Sequence, residues 1–391
     1  MARWPAASAR VLLGVFLVPL FLAACTNVAP GAAGRAPGGE PAPRGGPEVA
    51  EGRGTGPAAP RAPEQPTPGP AVQAAPADAA TVRIGVVRTL TEAGMYIALE
   101  RGYFAEQGIA IEFENFDTAA RAVPALSTNQ VDISSGVLSA GLFNAIERGV
   151  DVKITGPVSR QDADFSSNVI LVRKDLFDSG AIRDYADLRG RPFGAPSRGS
   201  TIEYSIDLAM RQVGLSADDL DWIELGFPEQ IPAFANRAID AAYNTEPVAT
   251  IAVNQGVAVK WRRVGDWAPG MQFTVLMYSP AFGTERNDVA RRWMVAYLKG
   301  LRDYTDAVQK GINRRAMFEI LARNTTLKDL ELYEQVSWAN LDPNGRINLE
   351  SIADQARWYV EKGLVRTLPD LSRIVDLQYV EYARAVLGEY R

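Results

Sequence analysis

The sequence lacks histidine altogether and contains a single cysteine, Cys25, among its 391 residues. These absences exclude a histidine-based triad, a zinc site built from histidines or several cysteines, and a disulfide or redox pair within the chain. Aspartate and glutamate remain as the main groups for acid–base chemistry. Since no paired carboxylates occur in a recognisable motif, we expect no catalytic residues, and we expect neither a metal nor a cofactor.

Positive charge is not in excess either, because 41 lysines and arginines are set against 46 aspartates and glutamates, a net charge of −5. A protein that binds nucleic acid needs a basic surface to neutralise phosphates. Nucleic acid is therefore not expected as a partner.

Long apolar runs are scarce, and the one near the N-terminus is short. Residues Val11–Leu22 follow Arg3 and Arg10, an arrangement typical of the hydrophobic region of a secretory signal rather than of a membrane span. The run ends in Leu22-Ala23-Ala24-Cys25, which resembles a bacterial lipobox. We predict a signal peptide over residues 1–24, lipidation of Cys25, and a protein held on the periplasmic or extracellular face of the cell membrane. The alternative is secretion after cleavage at an ordinary small-residue site, with a chance cysteine.

Aromatic residues are missing from the next segment, residues 26–80, which is rich in proline, glycine and alanine. Such a composition cannot bury enough apolar surface to fold. Residues 25–80 are therefore predicted to be a lipidated and disordered tether.

Strand and helix patterns alternate from residue 81 onward. Thr81–Val87 and Ile109–Phe113 are predicted as strands with a helix between them, and further strands are predicted near residues 131–133, 152–154, 168–173, 192–195, 222–225, 239–243, 257–259 and 273–278. Strand character is nearly absent beyond Tyr278, where long helical patterns run to the end. The fold class is α/β.

The alternation falls into two sets, which predicts two lobes with a cleft between them. Lobe 1 is expected to comprise residues 81–168 and 276–391, and lobe 2 residues 169–275. The chain is expected to cross between the lobes twice, near residues 168 and 275.

The order of several short motifs resembles solute-binding proteins of ABC importers, closest to the nitrate, sulfonate, taurine and thiamine-pyrimidine group. The motifs are Tyr96-Ile97-Ala98, Gly102-Tyr103-Phe104, Gly108, Asn129-Gln130-Val131-Asp132, Gly149-Val150-Asp151-Val152-Lys153, Leu188-Arg189-Gly190, Gly199-Ser200-Thr201 and Ile239-Asp240-Ala241-Ala242. The resemblance implies a type II periplasmic binding protein fold with a C-terminal helical return. It also implies a monomer whose partners are a small-molecule solute, a permease with its ATPase, and the membrane through the lipid anchor.

Candidate ligand-binding residues are expected where strands end, because ligands of open α/β sheets lie beyond the carboxyl ends of the strands. In lobe 1 these are Thr91, Glu92, Asp117, Ser135, Gly136 and Ser139. In lobe 2, Gly199, Ser200 and Thr201 begin a helix and would form a cradle for an anion or a carbonyl, to which Arg198 would add positive charge. Tyr243, Asn244 and Glu246 follow a later strand, where Tyr243 would stack on a flat ligand and Glu246 would accept a hydrogen bond from an amine.

Two kinds of solute remain open at this stage. A sulfonate or nitrate would need helix N-termini and positive charge, whereas an aminopyrimidine or flavin-like ring would use Tyr243 and Glu246. The carboxylates Glu92 and Glu246 favour the second kind. A sensor module and an exported hydrolase with paired carboxylates are the alternative functions.

Overall fold

The computed structural model describes residues 76–116 and 119–391, without the side chains of residues 119 and 120. The predicted signal peptide, Cys25 and most of the tether lie outside the described residues, as does Asp117. None of the described helices combines the length and the apolar character that a membrane span requires.

The described residues form ten strands. They are β1 Ala80–Val86, β2 Ile109–Asn115, β3 Ile133–Val137, β4 Lys153–Gln161, β5 Asn168–Arg173, β6 Pro192–Ala195, β7 Asp221–Glu224, β8 Ala241–Thr245, β9 Ala258–Arg263 and β10 Met271–Tyr278.

Helices connect these strands and make up the C-terminal part of the described chain. They are α1 Ala93–Glu100, α2 Tyr103–Glu106, α3 Ala119–Ser127, α4 Ala140–Glu147, α5 Lys174–Asp178, α6 Thr201–Arg211, α7 Gln230–Ala235, α8 Val248–Asn254, α9 Val264–Trp267, α10 Pro280–Glu285, α11 Asn287–Lys310, α12 Arg314–Asn324, α13 Leu349–Glu361, α14 Leu371–Ile374 and α15 Gln378–Leu387. Short 3₁₀ turns occur at Leu90–Glu92, Tyr185–Leu188, Ala217–Asp219 and Glu331–Glu334.

The strands form two five-stranded sheets of the same plan. The first has the order β2-β1-β3-β10-β4 and the second the order β7-β6-β8-β5-β9. In each sheet one strand is antiparallel to both neighbours, β10 in the first and β5 in the second. We call the part built on the first sheet lobe 1 and the part built on the second lobe 2.

Each antiparallel strand follows a crossing between the lobes. The chain passes from β4 to β5 over residues 162–167 and from β9 to β10 over residues 264–270. The crossings touch, because a Cβ atom at Gly265 would lie 2.0 Å from the carbonyl oxygen of Asp162. The predicted residue limits of the lobes stay a prediction, although β10 belongs as a whole to the first sheet.

Strand β4 is longer than the predicted segment 152–154, since it continues to Gln161 through Gly156 and Pro157. These two residues are typical of strand ends, which is why the pattern stopped early. β4 lies at the edge of its sheet and its pairing with β10 is interrupted by register shifts. An edge strand tolerates a proline that cannot donate a hydrogen bond.

The C-terminal helices return to lobe 1. Helix α11 buries an apolar stripe that includes Val289, Trp293 and Ala296 in the same core as β1 and α1. Helices α1 and α11 cross closely, because a Cβ atom at Gly300 of α11 would lie 2.1 Å from the carbonyl oxygen of Gly94 in α1. This packing fixes helix α1, which directly follows the turn at residues 90–92.

Candidate functional site

A cavity lies where the carboxyl ends of strands from both sheets converge, and we call it the central cavity. Its volume is about 40 Å³, room for only a few water molecules. As it stands in this structure, the cavity has no room for a much larger solute. The lining residues are Val87, Thr89, Thr91, Glu92, Ser135, Gly136, Val137, Pro196, Ser197, Ile202, Phe227, Thr245, Phe273 and Thr274.

Glu92 is the only ionisable side chain among the described lining residues. Its position follows from the turn after β1, where its Oε1 accepts a hydrogen bond from the Val87 amide at 2.9 Å and its Oε2 one from the Thr89 amide at 3.1 Å. The Tyr96 hydroxyl, one helical turn on, donates to Oε2 at 2.7 Å. No lysine or arginine of the described chain forms an ion pair with it. Burial raises the pKa of Glu92, and these hydrogen bonds oppose the shift.

Hydroxyl groups supply most of the other polar surface. Those of Thr89 and Thr91 lie 2.7 Å apart and share a hydrogen bond, and that of Thr274 bonds Ser159. The Ser135 hydroxyl has no hydrogen-bond partner in the described part of the chain, although the residue is only 3% exposed. A buried hydroxyl without a partner at a cavity wall is available to a ligand.

Two phenylalanines give the cavity an apolar side. Phe227 follows β7, and Phe273 lies near the start of β10. The Phe273 ring stacks on Tyr243 with ring centroids 6.0 Å apart and an interplanar angle of 24°. Tyr243 therefore supports the wall from behind and does not line the cavity.

Four of the predicted ligand-binding residues line the central cavity. Thr91 and Glu92 follow β1, and Ser135 and Gly136 are part of β3. Their roles in binding stay a prediction.

The predicted anion cradle of lobe 2 is instead used for contact between the lobes. The Thr201 amide donates to the carbonyl of Leu138 at 3.0 Å, and the Ala140 amide donates to the carbonyl of Gly199 at 2.8 Å. These bonds form an antiparallel bridge that joins Ser139 to Ser200.

The side chains of this bridge are also occupied. Ser139 and Ser200 accept hydrogen bonds at the starts of α4 and α6, and the Gly199 amide donates to Glu203 at 2.6 Å. Gly199, Ser200, Thr201 and Ser139 are absent from the lining of the central cavity. The Gly199 and Thr201 amides already donate to other groups.

Arg198 does not face the central cavity. Its guanidinium forms ion pairs with Glu203, at 2.5 Å, and with Asp218, and it lies 5.3 Å from the centre of the Trp222 ring. The side chain is 41% exposed. Its positive charge is compensated at the surface of lobe 2, so the expectation that it would add charge for a bound anion is not met by this arrangement.

Tyr243, Asn244 and Glu246 are buried outside the cavity lining. Asn244 donates to the side chain of Gln230 at 2.7 Å. Glu246 forms an ion pair with Lys260 at 2.5 Å and accepts a hydrogen bond from the Ser337 amide at 3.1 Å. Stacking by Tyr243 and hydrogen bonding by Glu246 to a solute are therefore not what the structure arranges.

Sequence reasoning missed several cavity residues, notably Phe227, Phe273 and Thr274. Phe227 follows a predicted strand and was within reach of the carboxyl-end rule. Phe273 and Thr274 belong to a strand that was predicted, but β10 is antiparallel to its neighbours. Its first residues therefore lie at the same edge of the sheet as the carboxyl ends of β3 and β4. The sequence contained a signal for this, because a strand that returns from the other lobe can run antiparallel to its neighbours.

A family model described as NMT1/THI5 like matches residues 90–309. The riboflavin-binding protein RibY of Chloroflexus aurantiacus is 28% identical over 289 residues, which cover 70% of this chain and 77% of the relative. The taurine-binding periplasmic protein of Escherichia coli is 22% identical over 305 residues, which cover 75% of this chain and 91% of the relative. Both relatives are named as binding proteins.

Solved structures share the fold. The ligand-binding component of an ABC-type import system from Staphylococcus aureus has a TM-score of 0.66 at 16% identity, covering 78% of this chain and 99% of its own. The alkanesulfonate-binding protein SsuA from Xanthomonas axonopodis has a TM-score of 0.61 at 18% identity, with the same coverage. The desulfurization enzyme DszB also matches, with a TM-score of 0.55 at 15% identity, covering 78% of this chain and 99% of its own. The predicted periplasmic binding protein fold is confirmed, and one enzyme uses it too.

Proposed function

The chain belongs to the NMT1/THI5-like family, and from that premise we propose that it is the solute-binding lipoprotein of an ABC importer. It captures a small solute in the central cavity by closure of the two lobes and delivers it to a permease driven by a separate ATPase. The observation that carries this proposal is the cavity itself, which both sheets line at the carboxyl ends of their strands.

Closure is supported by hydrogen bonds between the lobes on two sides of the cavity. On one side are the bonds at Ala140 and Thr201, and on the other the Leu90 amide donates to the carbonyl of Glu246 at 3.1 Å. A solute that binds both walls stabilises the closed form, in which the two lobes are in contact. A permease that binds the closed form would therefore bind mainly the protein that carries a solute.

The chemistry of the cavity supports binding rather than hydrolysis. Carboxylate-based hydrolases use two carboxyl groups, whereas the described lining residues include only Glu92. The enzyme of the same fold does not change this comparison, because a shared fold carries many functions. The sensor alternative has no specific observation in its favour.

The lipid anchor is proposed from the lipobox alone, since Cys25 lies outside the described residues. Acylation of Cys25 would hold the chain at a membrane without a spanning helix. Detergent phase partitioning of the full chain tests this: the natural protein should enter the detergent phase, and a Cys25→Ser variant the aqueous phase. Aqueous partitioning of both would contradict the anchor.

Receptor function is tested by thermal unfolding of the full chain with sulfonates, nitrate, pyrimidines, flavins and amines, followed by uptake measurements in cells that lack the gene. A solute at 100 times its Kd should stabilise the fold by about 2.7 kcal/mol. Uptake of that solute at low concentration should be lost without the chain and restored by it. Normal uptake in its absence would contradict delivery to an importer.

A further inference from the structure

Charge is distributed unevenly around the central cavity. Among the lining residues that the structure describes there is one carboxylate, Glu92, and there is no lysine or arginine. The one charge that these lining side chains can present to a solute is therefore negative.

Three cations belong to segments beside the lining residues, and each has other contacts. The Arg88 guanidinium donates to the side chain of Asn115 at 2.7 Å and lies 5.0 Å from the centre of the Phe113 ring and 5.7 Å from that of the Tyr96 ring. Arg198 pairs with Glu203, and Lys260 with Glu246. None of these side chains belongs to the described cavity lining, so an anion would have to draw one of them away from its present contacts.

Glu92 accepts several hydrogen bonds but forms no ion pair in the described chain. Val87 donates to Oε1, and Thr89 and Tyr96 donate to Oε2. A hydrogen bond from the Arg88 amide also lowers the pKa of the carboxyl. A buried carboxylate without a cation is costly, and a further donor or a positive charge beside it lowers that cost.

We propose, resting on the proposed function, that Glu92 selects the solute by charge. The cavity takes a neutral or cationic solute that donates an N–H or O–H hydrogen bond to Glu92, packs its apolar part against Phe227 and Phe273, and uses the free hydroxyl of Ser135. Sulfonates, nitrate and other oxyanions are rejected, because an anion beside Glu92 would be repelled where water does not screen the charges.

Matched probes of one shape and opposite charge test this with the full chain by isothermal titration calorimetry. Ethylamine is compared with ethanesulfonate, and benzylamine with benzenesulfonate, while taurine carries both groups. Each amine should bind more tightly than its sulfonate by on the order of tenfold or more, as expected for one hydrogen bond to a charged group.

The variant Glu92→Gln removes the charge and should shift the amine-to-sulfonate preference toward the sulfonate by a similar factor. Its control is Asp132→Asn, another buried carboxylate that lies outside the cavity lining and pairs with Arg286, and that should leave the preference unchanged. If Glu92→Gln fails to fold, the comparison of probes with the natural chain still decides the matter.

The outcomes separate this inference from the proposed function. Tighter binding of the sulfonates would overturn charge selection by Glu92 and leave the receptor function in place. Binding of no probe in either class would also overturn the inference, and the uptake experiment would then judge the function. Equal shifts in Glu92→Gln and Asp132→Asn would reduce Glu92 to a structural role.

Discussion

Residues of the same type have different roles in this chain because burial and partners differ. Glu92 and Glu246 are both buried carboxylates that follow strands. Glu246 is neutralised by Lys260, whereas Glu92 faces the cavity with no cation. Sequence reasoning selected both from their positions after strands. It could not separate them, because Lys260 is 14 residues from Glu246 and is brought to it only by the pairing of β9 in the sheet.

The unpaired hydroxyl of Ser135 leads to a prediction about affinity. Ser135→Ala should weaken binding of the best amine probe by roughly threefold to tenfold, the usual effect of one lost hydrogen bond. The unfolding temperature without solute should stay the same, because the hydroxyl has no partner in the described protein. Calorimetric titration and thermal unfolding measure the two effects.

Ser134→Ala provides the matched control for this substitution. Ser134 is the preceding residue of β3, its hydroxyl donates to the Ser135 carbonyl at 3.3 Å, and it does not line the cavity. Affinity should not change in this variant. A loss of affinity with Ser134→Ala, or none with Ser135→Ala, would contradict a role for the Ser135 hydroxyl.

The buried state of Glu92 predicts a pH dependence of stability. Burial raises the pKa of Glu92 above the ordinary value of 4.5. The folded chain therefore holds the carboxyl proton of Glu92 more tightly than the unfolded chain does. The stabilisation by protonated Glu92 is complete below about pH 4.5 and is lost as the pH rises through the raised pKa. Without solute, the natural protein should lose free energy of unfolding relative to Glu92→Gln as the pH rises above about 4.5.

Urea unfolding of both proteins across this pH range measures the difference. Hydrogen bonds lost in Glu92→Gln add a constant offset, so the slope with pH is the informative quantity. A difference that stays flat, or that moves in favour of the natural protein as the pH rises, would contradict a raised pKa of Glu92.

The strands and helices that could be predicted from the sequence are those whose pattern is local. The strands with regular alternation, such as β1 and β2, were predicted within a residue or two because their period is visible locally. The extension of β4 through Pro157 depends on its place at the sheet edge, which no local pattern reports. The start of α6 was predicted correctly, but the arrival of Leu138 and Ala140 from lobe 1 at that helix start is a tertiary fact.

Because α1 and α11 cross so closely, adding a methyl group at their contact should lower the stability of the folded protein. Gly300→Ala would place a Cβ atom 2.1 Å from the carbonyl oxygen of Gly94 and 3.0 Å from the Cβ atom of Ala98. Since backbone must move to relieve the first contact, we expect a destabilisation of about 1–3 kcal/mol despite the better helix propensity of alanine. Thermal and urea unfolding should both report it.

An alanine elsewhere on the same helix controls for propensity. Gln309 is exposed near the end of α11, and Gln309→Ala should change the free energy of unfolding by no more than about 0.5 kcal/mol. Equal effects of Gly300→Ala and Gln309→Ala would mean that the helix crossing has room that the structure does not show.

The whole molecule closes by joining strand and helix ends of the two lobes. Each sheet has the same order of strands, and each receives its antiparallel strand from a crossing. The carboxyl ends of β1, β3, β6 and β8 therefore lie at the cavity, and the main-chain bonds between residues 138–140 and 199–201 hold the two lobes together. The sequence predicted two lobes and a cleft from the two sets of alternation, but not these bonds, because they involve main-chain atoms that any residues would supply.

One substitution can remove a bond between the lobes without disturbing either lobe. Ala140 is the first residue of α4, where proline is well tolerated, and the preceding Ser139 has extended backbone angles, φ −151° and ψ 156°, that suit a following proline. Ala140→Pro would delete the amide that donates to Gly199 at 2.8 Å. We expect an unchanged fold, a larger radius of gyration by small-angle X-ray scattering with solute present, and solute affinity weaker by roughly threefold to tenfold.

Leu349→Pro is the control, because Leu349 is the exposed first residue of α13 and its amide donates no hydrogen bond in the described chain. Proline there tests the cost of the substitution itself at a helix start, and affinity and radius of gyration should match those of the natural protein. If Ala140→Pro binds solute as tightly as Leu349→Pro does, the main-chain bridge does not contribute to closure, and the bound solute and the remaining contacts alone would hold the lobes together. A selective loss of affinity in Ala140→Pro would instead mean that part of the free energy of solute binding comes from a hydrogen bond between the two lobes. The solute takes no direct part in that bond, so its contribution would be the same for every solute that closes the lobes.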